Sequence, residues 1–205
     1  MQKQVDKTHY DFQKYLSKSR WNSIWHQLHE VQKVSPESVL EVGPGPNIFK
    51  LIAAQIGIKV ETIDIDPELN PDYVGSVTDM PFECGKYDLV CAFQVLEHMP
   101  YEESLNAFRE MVRVSRKHVI ISLPDAKPRY RIFLDVPKFG YKQFFFESPR
   151  SRMPVHHFDG QHYWEVNKKG YELDKVIADF SAMISLERTY RVNENKYHRF
   201  FVFKK

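Results

Sequence analysis

The sequence predicts an α/β fold: a doubly wound, mostly parallel seven-stranded sheet that ends in a C-terminal antiparallel hairpin. Three observations carry this. Short apolar runs alternate with helix-period segments between residues 38 and 123, the pattern of strands joined by right-handed crossovers. The first of those runs leads straight into the turn Gly43-Pro44-Gly45-Pro46. Two β-rich runs then close the chain on either side of the turn Asn193-Glu194-Asn195.

Each element follows in order. Tyr10 to Gln32 holds no proline or glycine, and Tyr15, Trp21, Ile24, Trp25 and Leu28 recur at helical spacing, so an amphipathic helix is expected there. Ser35-Pro36-Glu37-Ser38 ends it. Ser38–Val42 is a short apolar strand, Asn47–Gln55 a helix stopped by Gly57, and Lys59–Asp64 a second strand ending in acid. Tyr73–Val77 makes a third strand and Tyr87–Phe93 a buried fourth. Tyr101–Val114 carries Leu105, Phe108, Met111 and Val112 on one helical face, and His118–Leu123 is a fifth strand stopped by Pro124. Residues 124–166 show no clean period. A helix from Tyr171 to Phe180 and strands at Ile184–Val192 and Tyr197–Lys204 complete the order.

Bulk properties narrow the function. A chain of 205 residues is expected to form one domain, with residues 1–35 as a helical cap and 124–166 as a lid or substrate insertion. A formal charge of +2 creates no field that demands a nucleic-acid partner. No apolar run reaches the ~20 residues of a membrane span, and Met1-Gln2-Lys3-Gln4-Val5-Asp6 lacks the apolar stretch of a leader. Cys84 and Cys91 have no CxxC partner, so a cytoplasmic, reducing setting with free thiols is expected.

In an open α/β sheet, ligands bind beyond the carboxyl ends of the strands, where the strand order reverses. Glu41-Val42-Gly43-Pro44-Gly45 falls there, and its glycines allow a tight turn against which a ligand can approach bare backbone. Asp64 lies 21 residues past Gly43 at the end of the next strand, where a carboxylate accepts from a ribose diol. An adenosine cofactor follows. The dinucleotide fingerprint needs a third glycine where Ile48 stands, and a phosphate loop needs Gly-Lys-Ser/Thr, which is missing. Glu41 would repel a pyrophosphate but suits a ligand with an ammonium or sulfonium group, such as S-adenosylmethionine.

Four blocks then carry a resemblance. Val39-Leu40-Glu41-Val42-Gly43-Pro44-Gly45 resembles the first motif of class I S-adenosylmethionine-dependent methyltransferases, and Thr62-Ile63-Asp64-Ile65-Asp66-Pro67 the second. Thr78-Asp79-Met80-Pro81-Phe82 resembles the third, and Tyr87–Val90 with Gln94-Val95-Leu96-Glu97-His98 the fourth-strand block of the type 11 subgroup. The resemblance spans residues 38 to 123, and implies a Rossmann-like methyltransferase fold with S-adenosylmethionine as cofactor and S-adenosylhomocysteine as product. It implies that Glu41 and the backbone of Gly43, Pro44 and Gly45 hold the methionine portion, Asp64 the ribose, and Ile65 one adenine face. Ser76 stands where the family has an acid toward the adenine; Asp79 or backbone near Val77 would take its part. Phe93 and Gln94 would face the sulfonium. Asn47 replaces the family's third glycine, and asparagine tolerates a left-handed backbone.

Other residues are weighed on their own chemistry. Asp66, before Pro67, shapes a turn, and Asp88 fixes the start of the fourth strand. His98, His157, His162 and Tyr163 are the candidates for proton handling, needed only if the acceptor loses a proton during attack. His156, His157 and His162 invite a metal reading, but adjacent histidines do not readily turn to one ion and no cysteine or carboxylate pair completes a set; no metal is expected. Between Ala126 and Arg152, seven basic residues (Lys127, Arg129, Arg131, Lys138, Lys142, Arg150, Arg152) stand against Asp135 and Glu147, among seven aromatics. That mixture suits an anionic, partly apolar small-molecule or lipid-like acceptor, or contact with a membrane surface. A rival of another class is a noncatalytic S-adenosylmethionine-binding module for regulation or assembly.

Overall fold

The computed structural model describes residues 10–11, 15–147 and 153–205. Seven strands form one sheet in the order β3-β2-β1-β4-β5-β9-β8. β1 (Val39–Val42), β2 (Val60–Asp64), β3 (Tyr73–Val74), β4 (Tyr87–Phe93) and β5 (Ser115–Pro124) pair in parallel with one another. β8 (Ser185–Arg191) and β9 (His198–Lys204) form the expected antiparallel hairpin, with β9 antiparallel to β5. The chain winds from β1 outward through β2 and β3, then returns to the other side of β1 as β4. Strand order therefore reverses between β1 and β4, which sets the ligand crevice at their carboxyl ends.

Period-two alternation divides the core between the two sheet faces. Leu40, Val90, Val119, Ile121, Phe201 and Phe203 pack beneath α3 (Tyr101–Val114) and α4 (Leu173–Ser181), against Phe108, Met111, Phe180 and Trp164. Val39, Leu89, Cys91, Ile120, Phe200 and Val202 face the other way, against Val31 of α1 (Lys18–Val34) and Phe49 and Ala53 of α2 (Ile48–Gln55).

Several expected boundaries move. The helix expected over Tyr10–Gln32 is interrupted: the Tyr15 amide closes a helical turn on the Asp11 carbonyl at 2.8 Å, and residues 12–14 lie outside the described residues. After Leu16 and Ser17 a helix runs Lys18–Val34, capped where the Ser17 hydroxyl accepts the Arg20 amide at 3.2 Å. Its buried face runs through Ile24, Gln27 and Val31, whereas Trp21 and Trp25 are exposed and Trp25 stacks on His29. The third strand stops at Val74: the Gly75 amide still reaches the Asp64 carbonyl at 2.9 Å, but Ser76–Asp79 folds into a turn. The fifth strand starts at Ser115, directly after α3, where it pairs with Tyr87.

The largest correction concerns residues 124–166. An eight-pair antiparallel hairpin stands out from this segment, β6 (Arg129–Val136) with β7 (Gly140–Glu147). The alternation of Tyr130, Ile132, Leu134 and Val136 encoded it, and the positive-φ residues Lys138 (+71°) and Gly140 (+68°) turn it. Its root is tied to the sheet by Asp125, fully buried, which accepts from Arg199 Nε at 2.7 Å and Asn167 Nδ2 at 2.8 Å and pairs with Arg191 at 3.4 Å. Arg150 and Arg152 lie outside the described residues.

Candidate functional site: a crevice at the reversal of strand order

Gly43 lines a crevice at the end of β1, and Asp64 ends the neighbouring strand β2. The Gly43 amide donates to the Ile63 carbonyl at 3.0 Å, so the glycine turn lies against the end of β2, one residue from Asp64. Gly43 has φ of +66°, and a Cβ there would fall 2.7 Å from Val95 Cγ2; only glycine fits. Gly45 lies beneath the Tyr10 ring, and Tyr10, whose hydroxyl is pushed up to about 12 by burial, also feels the charge of Asp64. Asn47 holds φ of +58° where the family's glycine stands, as the sequence reading allowed, and begins α2.

Glu41 defines the floor. Its side chain is buried, and its Oε2 meets no hydrogen-bond partner among the described residues. Burial, with Asp64 nearby, pushes its carboxyl up to about 8 despite Lys50. A polar cavity opens above it, walled by Tyr15 and Arg20 from the N-terminal side, by Gly43 and Pro44, and by Phe93, Gln94 and His198. Asp64 is half-buried; burial raises its carboxyl, opposed by the Asp66 amide, which donates to Oδ1 at 2.9 Å. Ile65 beside it is also half-buried. Asp66 caps the turn at Pro67–Leu69, and Asp88 accepts from the Glu37 amide and Arg116 at the start of β4, so both act on the fold as expected.

The remaining expected contacts divide. Gln94 takes φ of +60° at the end of β4 and donates from Nε2 to Ser122 at 3.2 Å, while Phe93 packs edge-on against Phe49. The Ser76 hydroxyl accepts the Thr78 amide at 3.2 Å and thus holds its own turn; Asp79 is exposed, and the Val77 side chain is buried in the core, leaving its backbone for a ligand.

Of the four proton-handling candidates, the structure joins two. His98 and His162 lie with ring centroids 5.0 Å apart, although 64 residues separate them. His157 is exposed, and Tyr163 is exposed against the Phe158 ring. Sequence reasoning missed Glu97, fully buried next to His98, and Glu165, which meets His162 Nδ1 at 3.0 Å and accepts from the Tyr197 hydroxyl at 2.5 Å. It also missed His198, which lines the crevice, is buried, and is pushed down to about 3 by desolvation. An acid directly before His98 was the one local signal; His198 gave none, being one residue of an apolar strand.

Comparisons with known proteins follow this geometry. A family model described as a methyltransferase domain matches residues 12–172. No curated protein matches the chain in sequence. Among solved structures, the PH0226 protein of Pyrococcus horikoshii OT3 is 17% identical, with a TM-score of 0.65 over 98% of this chain and 96% of its own. The 1,6-didemethyltoxoflavin-N1-methyltransferase of Burkholderia thailandensis, solved with 1,6-didemethyltoxoflavin and S-adenosylhomocysteine, is 14% identical, with a TM-score of 0.63 over 97% of this chain and 84% of its own. The magnesium protoporphyrin IX methyltransferase of Synechocystis PCC 6803 is 17% identical, with a TM-score of 0.58 over 100% and 90%. These three share the fold with this chain. With the family model spanning most of the chain and the crevice built at the reversal of its strand order, the chain belongs to the methyltransferase-domain family.

Proposed function

We propose that this chain transfers the methyl group of S-adenosylmethionine to a small-molecule or lipid-like acceptor that is anionic and partly apolar. The observation that carries the donor is Glu41: a buried carboxylate oxygen without a partner among the described residues, on the floor of a crevice lined by Gly43 and Pro44, with Asp64 at the end of the neighbouring strand. A buried acceptor atom of this kind is costly unless a donor reaches it, and the ammonium of the donor's methionine end is such a donor. The bound donor brings an already activated methyl, so the protein's task is alignment and exclusion of water.

The chain's own groups divide that task. Glu41 and the Gly43–Gly45 backbone hold the methionine end. Asp64 accepts from the ribose hydroxyls, and Ile65 with the Ser76–Asp79 turn flanks the base. Phe93 and Gln94 stand where the methyl leaves. His98 and His162 converge on the acceptor side, and Arg20 and His198 on the crevice wall supply polar groups for an anionic acceptor.

The acceptor class rests on the β6–β7 hairpin. Tyr130, Ile132, Leu134, Val136, Phe144 and Phe146 share one of its faces and are 37–61% exposed, with Lys142 among them and Lys138 at the turn. Apolar area ringed by lysine suits a membrane surface or a lipid-like molecule. The Burkholderia and Synechocystis proteins are named for small molecules, which supports a small acceptor over a protein. No described helix is long and apolar enough to cross a membrane, so any such contact is peripheral. Free Cys84 and Cys91 fit a cytoplasmic setting.

Incubation of the chain with S-adenosylmethionine carrying a labelled methyl, followed by fractionation of extract into metabolites, lipids and proteins, tests this. Label in the metabolite or lipid fraction is expected. Donor binding with no transfer to any fraction would favour the noncatalytic module, against which the family membership weighs.

A further inference from the structure

Two segments far apart in sequence meet beyond the end of β4. The short turn Leu96–His98 sets Glu97 and His98 side by side. The chain returning from the hairpin is laced to that turn: the Tyr163 amide donates to the Glu97 carbonyl at 2.8 Å, and Trp164 Nε1 donates to the Leu96 carbonyl at 3.3 Å. This lacing brings His162 to Glu97 and His98, so that one ligand atom from each of the three lies within 4.8 Å of the others.

The Glu97 carboxylate is the unexplained group. It is 0% exposed, and neither oxygen has a hydrogen-bond partner among the described residues. Removing a carboxylate from water without donors costs several kcal/mol, and a cation is the strongest single compensation for two empty oxygens. The histidines are braced as metal-bound imidazoles usually are, with one ring nitrogen held by an outer acceptor. His98 Nδ1 donates to the Gln161 carbonyl at 3.1 Å. His162 Nδ1 meets Glu165 Oε1 at 3.0 Å, and Tyr197 holds that same oxygen. A second trio, Asp159 with His162 and Glu165, also lies close enough for an ion. Its carboxylates are already served by protein donors: Asp159 Oδ1 accepts from the Gln161 and His162 amides, and Glu165 from Tyr197. The unserved carboxylate is Glu97.

We propose that Glu97, His98 and His162 bind a divalent first-row transition ion, zinc foremost, beside the methyl-transfer crevice. Two imidazole nitrogens and one carboxylate oxygen match the three-ligand set of zinc sites that keep a coordination position open. That position takes an oxygen of the acceptor. Tyr15 and Arg20 of the crevice wall lie within electrostatic reach of Glu97, so the ion would stand beside that crevice. The role toward an acceptor rests on the methyltransferase reading; the binding of the ion does not. Sequence spacing hid the group, because its members come from two segments joined only in the fold.

The test uses the full chain with Cys84→Ser, which removes the exposed thiol as a competing ligand, after treatment with a chelator. Zinc chloride is titrated by calorimetry, and cobalt chloride is followed by its visible absorption. One ion per chain is expected, with a cobalt spectrum of low coordination number and a rise in melting temperature. Glu97→Gln and His162→Gln, each checked for folding by circular dichroism, should each abolish the stoichiometric isotherm. Glu165→Gln, which removes the negative charge behind His162 Nδ1 along with the Lys168 ion pair, should weaken binding ~10–100-fold. The proposal is overturned if the parent chain takes up no stoichiometric ion, or if a folded Glu97→Gln or His162→Gln binds zinc like the parent. Calorimetry of the same parent with S-adenosylhomocysteine separates the readings: zinc uptake without nucleoside binding would leave the ion site standing and remove the donor assignment.

Discussion

Glu41 and Asp64 stand on adjacent parallel strands, Glu41 level with Thr62 and Asp64 two residues beyond it, and the negative charge of Asp64 helps to raise the carboxyl of Glu41. Two acids this close to one glycine turn are costly in an empty crevice. The proposed donor would relieve both, its ammonium at Glu41 and its ribose hydroxyls at Asp64.

Binding of S-adenosylhomocysteine should therefore be coupled to proton release. Glu41 titrates near the ordinary 4.5 in the unfolded chain and near about 8 in the fold. Between those values the folded state holds the extra proton, so the stability of the ligand-free chain falls as pH rises through that window. Calorimetry should show affinity rising by up to about tenfold per pH unit toward pH 8, with an enthalpy that depends on the buffer. Glu41→Gln should bind weakly and lose the pH dependence. A parent affinity that stays level from pH 6 to pH 8 would contradict the assignment of Glu41.

Asp64→Ala should weaken the same ligand by about 1.5–3 kcal/mol, the usual range for hydrogen bonds to a charged group. Asp66→Ala, which loses a cap rather than a ligand contact, should lower the melting temperature more than the affinity. Equal affinities for Asp64→Ala and the parent would take Asp64 out of the site.

The root of the hairpin depends on Asp125. Its loss strips Arg191 and Arg199 of their shared buried carboxylate, and an orphaned buried charge costs about 3–5 kcal/mol. Denaturant unfolding of Asp125→Ala should show a loss of that size. A change below about 1 kcal/mol would mean that the arginines find other partners.

The exposed hairpin face should bind anionic vesicles. Co-sedimentation is expected with phosphatidylglycerol, less with phosphatidylcholine, and should weaken as salt is added. Ile132 and Phe144 are direct cross-strand partners on that face. Changing both to serine should weaken vesicle binding about a hundredfold or more if both insert fully, given roughly 1.5–3 kcal/mol for each large apolar side chain buried. The melting temperature should hold, because both are exposed. Vesicle binding by the double variant equal to the parent's would place the contact elsewhere.

The sequence by itself determined the sheet and pointed to the residues proposed above for the donor half of the site. Strand and helix periods are local, and the glycine turn with Asp64 follows from one strand–turn–helix–strand unit whose geometry permits little variation. Asn47 could be recognised in the glycine's place because its left-handed backbone is a local property. Only the tertiary structure decided the rest. The hairpin at 129–147 escaped notice because its strands are exposed on both faces, so apolar alternation did not mark a core. Glu97, His98 and His162 became one group because the chain returns over the end of β4 after 64 residues, and Asp125, Arg191 and Arg199 meet only where β5 pairs with β9. Burial is what gives each of these side chains its chemistry, and burial is a property of the packed chain.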